Sequence, residues 1–491
     1  MKLRRFVAAA LGLGLIFTIS ACNKKYSQKT GWAYNDIDNG GFEYISAYNQ
    51  ATGPGLVLIE GGTFTMGRVT DDVRYDWNNI PRRVTVGSFY MDETEVTNAD
   101  YREYLYWIKR VFADYPQVYK EALPDTLVWR SELAYNEPMV DYYFRHPAYN
   151  DYPVVGVSWL QASRYCEWRT DRVNEMILIN EGIMRMDPNQ RGANNFNTEA
   201  YLAGQYEGVV RQNLPDLDPN NETRIVRMED GIFLPKYRLP TEAEWEFAAL
   251  GLTAEDELIE EKQMYPWRGN YARNDDRANR GAIMANFTRG RGDYMGVSGS
   301  LNDAAGITSP VKSFWPNDYG LYDMAGNVNE WVLDVYRPLS LQDVDEFRPY
   351  RGNVYTTKMR DEDGFFLEKD SLGKIPERQE SREEIINRRN YKRPDLRNYL
   401  DGDLRSRIDY DQGDQETDPG TSRMYFGGRG TELEGITSLI TDRSRVYKGG
   451  SWRDRAYWLV PGTRRFMDER ESTDDIGFRC AMTRLGSPDG R

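Results

Sequence analysis

Three cysteines and one histidine bound the side-chain chemistry open to this chain of 491 residues. Cys22, Cys166 and Cys480 could carry acyl chains, close a disulfide or hold a soft metal as thiolates. His146 is the lone imidazole. That excludes a metal site built on several histidines and leaves any Ser-His-Asp triad to one residue. His146 precedes Pro147 and reads as a structural or surface residue. No run fits G-x-x-x-x-G-K-[ST] or H-E-x-x-H, so neither a phosphate loop nor a zinc-peptidase helix is expected. With 63 Lys and Arg against 77 Asp and Glu, the formal net charge is −14. Nucleic acid is not an expected partner, because its phosphates need a basic excess.

Cys22 belongs to the leader. Lys2, Arg4 and Arg5 precede an apolar run from Phe6 to Ile19, too short for a comfortable membrane span. Ile19-Ser20-Ala21-Cys22 fits a bacterial lipoprotein signal, with residues 1–21 removed and Cys22 acylated. The plainer alternative is a secretory signal that happens to end in Cys. Asn23-Lys24-Lys25 follows, without an Asp for inner-membrane retention or an acidic run for surface export. We expect an outer-membrane lipoprotein facing the periplasm, anchored in outer-membrane lipid through Cys22. That compartment is oxidising, and Cys166 and Cys480 are then an even pair. One disulfide is expected; the alternative is two buried free thiols.

The elements that must position these groups come next. Residues 22–53 read as a polar, lipidated tether. Leu56 to Ile59 reads as a buried strand and Thr63 to Met66 as its return. Asn98 is expected to cap a helix with Tyr101, Leu105, Ile108 and Phe112 on one face. Ser158 with Gln161, and Thr241 with Glu244, read as capping boxes of two further helices. In the first of these, Cys166 shares the inner face with Ala162 and Val173. Gly-punctuated strands close the chain around Gly449-Gly450 and Gly477. Stretches at about 180–236 and 337–446 are polar or heavily charged. They read as insertions without large cores of their own. The domain then spans 54–484, with a tail at 485–491. Of the acidic pairs, Glu244 reads as a helix cap, and Glu242, Asp92 and Glu93 as surface or loop charges.

Eight motifs in order carry a family resemblance. They are GTFTMG at 62–67, EVTN at 95–98, PVVGVSW at 153–159, YCEW at 165–168, RLPTEAEWEFAA at 238–249, GLYDMAGNVNEW at 320–331, GGSW at 449–452 and GFRC at 477–480. This set resembles the formylglycine-generating enzyme (sulfatase-modifying factor) superfamily. The resemblance implies an α+β, C-type-lectin-like domain with much irregular structure, here carrying two large insertions. It also implies pairing of Cys166 with Cys480. Two structural calcium sites are implied as well. One is Asn286 and Asp303 with the carbonyls of Phe287 and Ala305; the other is Asp323, Gly326, Val328 and Glu330.

The enzymes of this superfamily oxidise a substrate cysteine with copper held by two cysteines. Aligning the family's following arginine with Arg465 puts Tyr457 and Gly462 at those positions. No cysteine lies between Cys166 and Cys480, so no copper is expected. The resemblance therefore implies a pseudoenzyme. A narrower resemblance is to the GldJ-type gliding-motility lipoproteins. It rests on Met66 to Val73, Asp76 to Asn79, Phe89 to Asn98, Ala122 to Arg130 and Arg145 to Tyr149. The GldK-type ring lipoproteins are the nearest alternative. This narrower resemblance implies a structural role in type IX secretion and gliding, with other proteins of that machinery as partners. Competing readings are an active formylglycine-type oxidase and a glycan- or peptide-binding module with its groove near Trp331, Trp452 and Arg465.

Overall fold

The computed structural model describes residues 25–45, 49–68, 74, 78–218, 220–251, 262–290, 305–337, 350–352, 356–380, 440 and 443–486. Cys22, Asp303 and most of the second insertion lie outside the described residues. Strands β1 (Leu56–Ile59), β2 (Gly62–Met66), β3 (Arg82–Val86) and β4 (Phe89–Asp92) come first. Helices α1 (Asn98–Val111) and α2 (Trp159–Asn180), strand β5 (Tyr237–Arg238) and helix α3 (Glu242–Leu250) follow. Strands β6 (Asn329–Val335), β7 (Ser444–Lys448), β8 (Arg465–Asp468), β9 (Ile476–Gly477) and β10 (Ala481–Thr483) complete the frame.

Two four-stranded sheets result. One runs β1–β4–β10–β5, antiparallel throughout. The other runs β8–β7–β6–β9, with only β9 parallel to its neighbour. The two-residue alternation of strands divides the core. Tyr90 and Met482 face α1 and α2, together with Trp331, Cys166 and Cys480. Met91 and Ala481, paired across β4 and β10, face α3 and the β2–β3 hairpin.

Local chemistry starts each helix. Ser158 accepts the Gln161 N–H while Gln161 accepts the Ser158 N–H, the capping box expected of α2. Thr241 and Glu244 do the same for α3. The α1 cap is Thr97 rather than Asn98: its hydroxyl accepts the Asp100 N–H and the Asp100 carboxylate accepts the Thr97 N–H. Asn98 is instead buried, with its amide on the carbonyls of Tyr143 and Tyr149.

Three sequence expectations change. The first insertion has a small core of Ile183, Phe196, Tyr201, Val226 and Phe233, packed on Leu178 of α2. The second insertion packs on it where described: Asn195 donates to Leu372 O at 2.8 Å and Gln205 to Leu367 O at 3.0 Å. The described part of the tether folds too. Tyr26 bridges to Ala33, and Glu43 pairs with Arg224 of the first insertion. Among the described residues, no helix is long and apolar enough to cross a membrane.

Glu242 and Asp92 also depart from the surface reading. Asp92 is buried in a two-armed pair with Arg169, at 2.7 and 2.8 Å. Glu242 and Glu246 lie one turn apart on α3 inside a buried ion network. Glu242 meets Arg464 at 2.7 Å, and Glu246 meets Lys448 at 2.8 Å and Lys262 at 2.9 Å. Burial pushes the Glu246 carboxyl up, yet Lys262 and Lys448 outweigh it and hold it down at about 2. Removing one partner from such a network leaves a buried charge uncompensated, a loss of about 3–5 kcal/mol.

Asp334 on β6 borders this network and accepts the Glu242 N–H at 2.7 Å. Burial first, then the Glu242 charge, pushes its carboxyl up to about 7. An unfolded Asp titrates near ~3.9. The folded chain therefore binds the extra proton between those values, so this contribution is fully present below the unfolded value and is lost as pH rises through about 7. Asp334→Asn keeps an oxygen for the Glu242 N–H and removes the titration. Urea unfolding of the wild type relative to Asp334→Asn is expected to lose on the order of 1 kcal/mol per pH unit between about pH 5 and 7. A pH-independent difference between the two proteins refutes the assignment.

Candidate functional site

The GGSW turn ends β7 and leads into the segment where the enzymes carry their copper cysteines. Ser451 Oγ lies 2.8 Å from Asp454 Oδ2 and 3.2 Å from Asp475 Oδ2. Arg465, at the start of β8, meets both Asp454 oxygens at 2.8 and 2.6 Å and also donates to Asn329 Oδ1. Burial raises the Asp454 carboxyl, but the Arg465 hydrogen bond and charge bring it below its usual range. The Arg465 guanidinium sits 4.3 Å from the Trp458 ring centre and 5.0 Å from that of Tyr447.

Both expected cysteine positions are occupied by packing. Tyr457 lies under the Arg68 guanidinium, 4.1 Å from ring centre to carbon, and its ring meets Trp458 edge-on at 4.9 Å. Gly462 is buried against the end of β2. A Cβ added there would stand 2.8 Å from Gly67 O and 2.9 Å from Gly67 C. No side chain, cysteine included, fits without moving that backbone. The adjoining Gly67 N–H and O are themselves engaged by Glu246 and Lys262.

The two remaining cysteines lie elsewhere. Cys166 on α2 and Cys480 before β10 are both buried, with their sulfurs 3.1 Å apart as unbonded thiols. The structure brings together the pair expected from sequence, without a bond between them. Burial, then Cys480, pushes the Cys166 thiol well above the ordinary range. A neutral buried thiol is a poor nucleophile and metal ligand. His146 is exposed, and its Nδ1 accepts the Ala148 N–H at 3.1 Å, a capping role. Trp331 is fully buried and donates its indole N–H to Val157 O at 3.0 Å. It belongs to the core and cannot line the groove proposed for it. Trp452 does remain partly open, stacked 6.0 Å from Trp129.

The residues expected to hold calcium, Asp303 apart, form one connected region. The Asn286 amide donates to Ile307 O at 2.9 Å and to Asn327 Oδ1 at 3.3 Å, and Asn286 O accepts the Asn327 N–H at 2.9 Å. Phe287 is buried beside it, and Ala305 is partly buried. Gly326 packs so closely on this loop that a Cβ would lie 2.5 Å from Asn286 O, and its φ is +81°. Asp323 and Asn327 also adopt left-handed backbone, at φ 56° and 60°.

Three carboxylates surround this turn. Glu330 on β6 accepts from Arg479 at 2.7 and 2.6 Å and from the Trp245 indole at 2.7 Å, so both its oxygens are engaged. Asp323 Oδ2 accepts the Lys312 N–H at 3.1 Å, and its Oδ1 makes no hydrogen bond among the described residues. Burial first, with Glu330 adding, pushes the Asp323 carboxyl up to about 6. Glu95 was not singled out as a site residue. It is fully buried, accepts the Asn327 amide at 2.8 Å and the Val328 N–H at 3.3 Å, and borders Val328 of the expected second site. Burial, then Asp323 and Glu330, push its carboxyl well above the usual range. Its signal in the sequence is its place at the head of the EVTN motif. Among the described residues, no three His, Cys, Asp or Glu side chains converge as a metal cluster. Asp323 suits a hard cation; Glu330, as placed, serves Arg479 instead.

Over 296 residues the chain is 27% identical to the mouse (Mus musculus) formylglycine-generating enzyme, covering 57% of this chain and 58% of that protein. The match thus spans little more than half the length of that enzyme. Over 312 residues it is 28% identical to the mouse inactive C-alpha-formylglycine-generating enzyme 2, covering 59% of this chain and 71% of that protein. Among solved structures, PvdO from Pseudomonas aeruginosa aligns with a TM-score of 0.41 at 16% identity, covering 89% of this chain and all of that one. The sulfatase-modifying factor enzyme 1-like domain matches residues 41–382. With most of its length matched, its α+β frame in place and its motifs at the turns just described, the chain belongs to the sulfatase-modifying factor enzyme 1-like family.

Proposed function

We propose that this chain is a non-catalytic, lipid-anchored structural component of the type IX secretion and gliding-motility machinery at the periplasmic face of the outer membrane. The carrying observation is the closed site: Tyr457 under Arg68, and Gly462 against the Gly67 backbone, where the enzymes need two thiols. The inactive mouse relative is a precedent for this family without the chemistry. The lipoprotein signal at Cys22 and the GldJ-type motifs support the location and the machinery. A GldK-type component of the same machinery is the second reading. The partners are other proteins of that assembly, with outer-membrane lipid bound through Cys22.

In this reading Cys166 and Cys480 close to a disulfide in the oxidising periplasm, surrendering two protons and two electrons to the disulfide-forming oxidant there. Calcium is structural. Asp323 and the carbonyls of Gly326 and Val328 would hold one ion, with Glu95 beside them. Asn286, Phe287, Asp303 and Ala305 would hold another. The charge such an ion supplies offsets buried carboxylates that Arg479 alone leaves in excess.

Three outcomes are expected. A mild-detergent pull-down through this protein recovers outer-membrane secretion components, and the purified chain with copper makes no aldehyde on a Cys-x-Pro-x-Arg peptide. Aldehyde formation, or capture of sulfatases instead, overturns the proposal. Intact mass gives an acylated chain that is short by two hydrogens. Second, excess chelator lowers the melting temperature and calcium restores it; Asp323→Asn blunts both changes. An unchanged melt with the chelator removes calcium from the account. Third, Gly462→Ala is destabilising by about 1–3 kcal/mol in urea, as overpacking against fixed backbone demands. A neutral Gly462→Ala shows that the site is open after all.

A further inference from the structure

The described part of the tether is a folded hook. Tyr34 N–H donates to Lys25 O at 2.8 Å and Asn35 N–H to Phe42 O at 2.9 Å. The Asn35 amide spans to Tyr44, donating to its carbonyl at 3.0 Å and accepting its N–H at 2.7 Å. The Tyr34 ring lies 5.6 Å from Phe42 and 4.7 Å from Tyr44. Yet the hook's apolar side chains face outward. Trp32 is 60% exposed and Phe42 63%, and Tyr26, Tyr44 and Ile45 are exposed beside them. A segment that spends hydrogen bonds on holding aromatics in water has a second surface to meet. The exposed charges among them are Lys25, Lys29 and Asp38.

The hook is clamped to the first insertion. Glu43 pairs with Arg224, whose guanidinium also meets both oxygens of Asp230 at 2.7 Å. Gly41, at φ +69°, lies so near the first insertion that a Cβ would stand 2.0 Å from Leu217 O. Any surface that captures the hook therefore orients the first insertion with it.

Resting on the lipoprotein reading above, we propose that this hook is a second membrane contact. Its aromatic side chains enter the headgroup level of the phospholipid bilayer that holds the acylated Cys22. The occupant follows from where the anchor ends. Tyr26 stands four residues after Cys22, a reach of at most roughly 14 Å. Trp and Tyr beside Lys suit that zone, where rings meet the acyl boundary and polar tips stay wet. A single lipid anchor fixes distance but not orientation, and the clamped hook supplies the orientation.

Trp32 is the built-in reporter. The acylated full chain is reconstituted in phosphatidylethanolamine–phosphatidylcholine vesicles whose acyl chains carry bromine near the headgroup. Flotation and intact mass establish that the protein is acylated and bound. Bromolipid is then expected to quench part of the tryptophan fluorescence, and Trp32→Phe to remove most of that quenched part. Trp315→Phe, an exposed tryptophan outside the hook, leaves the quenching unchanged. Acylated, vesicle-bound protein with equal quenching in wild type and Trp32→Phe overturns the hook contact while leaving the anchor intact. Protein without acyl chains overturns the lipoprotein reading, and this proposal with it.

Discussion

Arg479 joins the parts of this fold. It lies between β9 of one sheet and β10 of the other, fully buried. Its Nε and Nη2 reach Glu330 on β6, its Nη1 reaches Asp92 O at the end of β4, and Nη2 also reaches Tyr322 O in the loop between α3 and β6. One side chain thus ties both sheets and the turn next to the expected metal loops. A guanidinium can do this because its donors are fixed in a plane and directed to three sides. The cost of burying it is offset because each of its three nitrogens finds an oxygen. Loss of either charge would strand the other in the core.

That constraint shapes the acidic turn around it. Glu330 is held by Arg479, which leaves Asp323 and Glu95 to share little positive charge in a buried space. Burial and the neighbouring negative charges push both carboxyls up. Backbone at positive φ on Asp323 and Asn327 persists because surrounding contacts fix it. Glu95 is central because it binds the turn from outside it, through the Asn327 amide and the Val328 N–H.

Much of this was legible in the sequence where the signal is local. Capping boxes at Ser158 and Thr241 join residues three apart, and the helices start as read. The inward face of Cys166 follows from helical spacing alone. The misplaced cap at Asn98 arose because Thr97 and Asn98 are both good caps, and only Asp100, three beyond Thr97, completes a box. The burial of Glu242 was out of reach for a different reason. Its partners Lys448 and Arg464 lie more than two hundred positions away, and no local pattern joins them. No local pattern joins Asp92 to Arg169 either, nor Trp331 to Val157; the motif position of Trp331 suggested a groove while its indole sits in the core. The first insertion hid its small core because a handful of apolar residues is diluted by polar ones in sequence but gathered by folding.

Gly462 carries no side chain, which by itself would leave a space. Here the space is gone: the end of β2 lies against Gly462, and Gly67 is fixed there by Glu246 and Lys262. Glu246 is fixed in turn by Lys448 of β7, the strand that leads into the GGSW turn. The buried network that stabilises α3 therefore also holds the end of β2 against Gly462. A side chain at position 462 would have to displace this network, whose members are buried ions that cannot move into water singly without stranding a partner. Stability and the close packing at Gly462 are in this way one property of the same contacts.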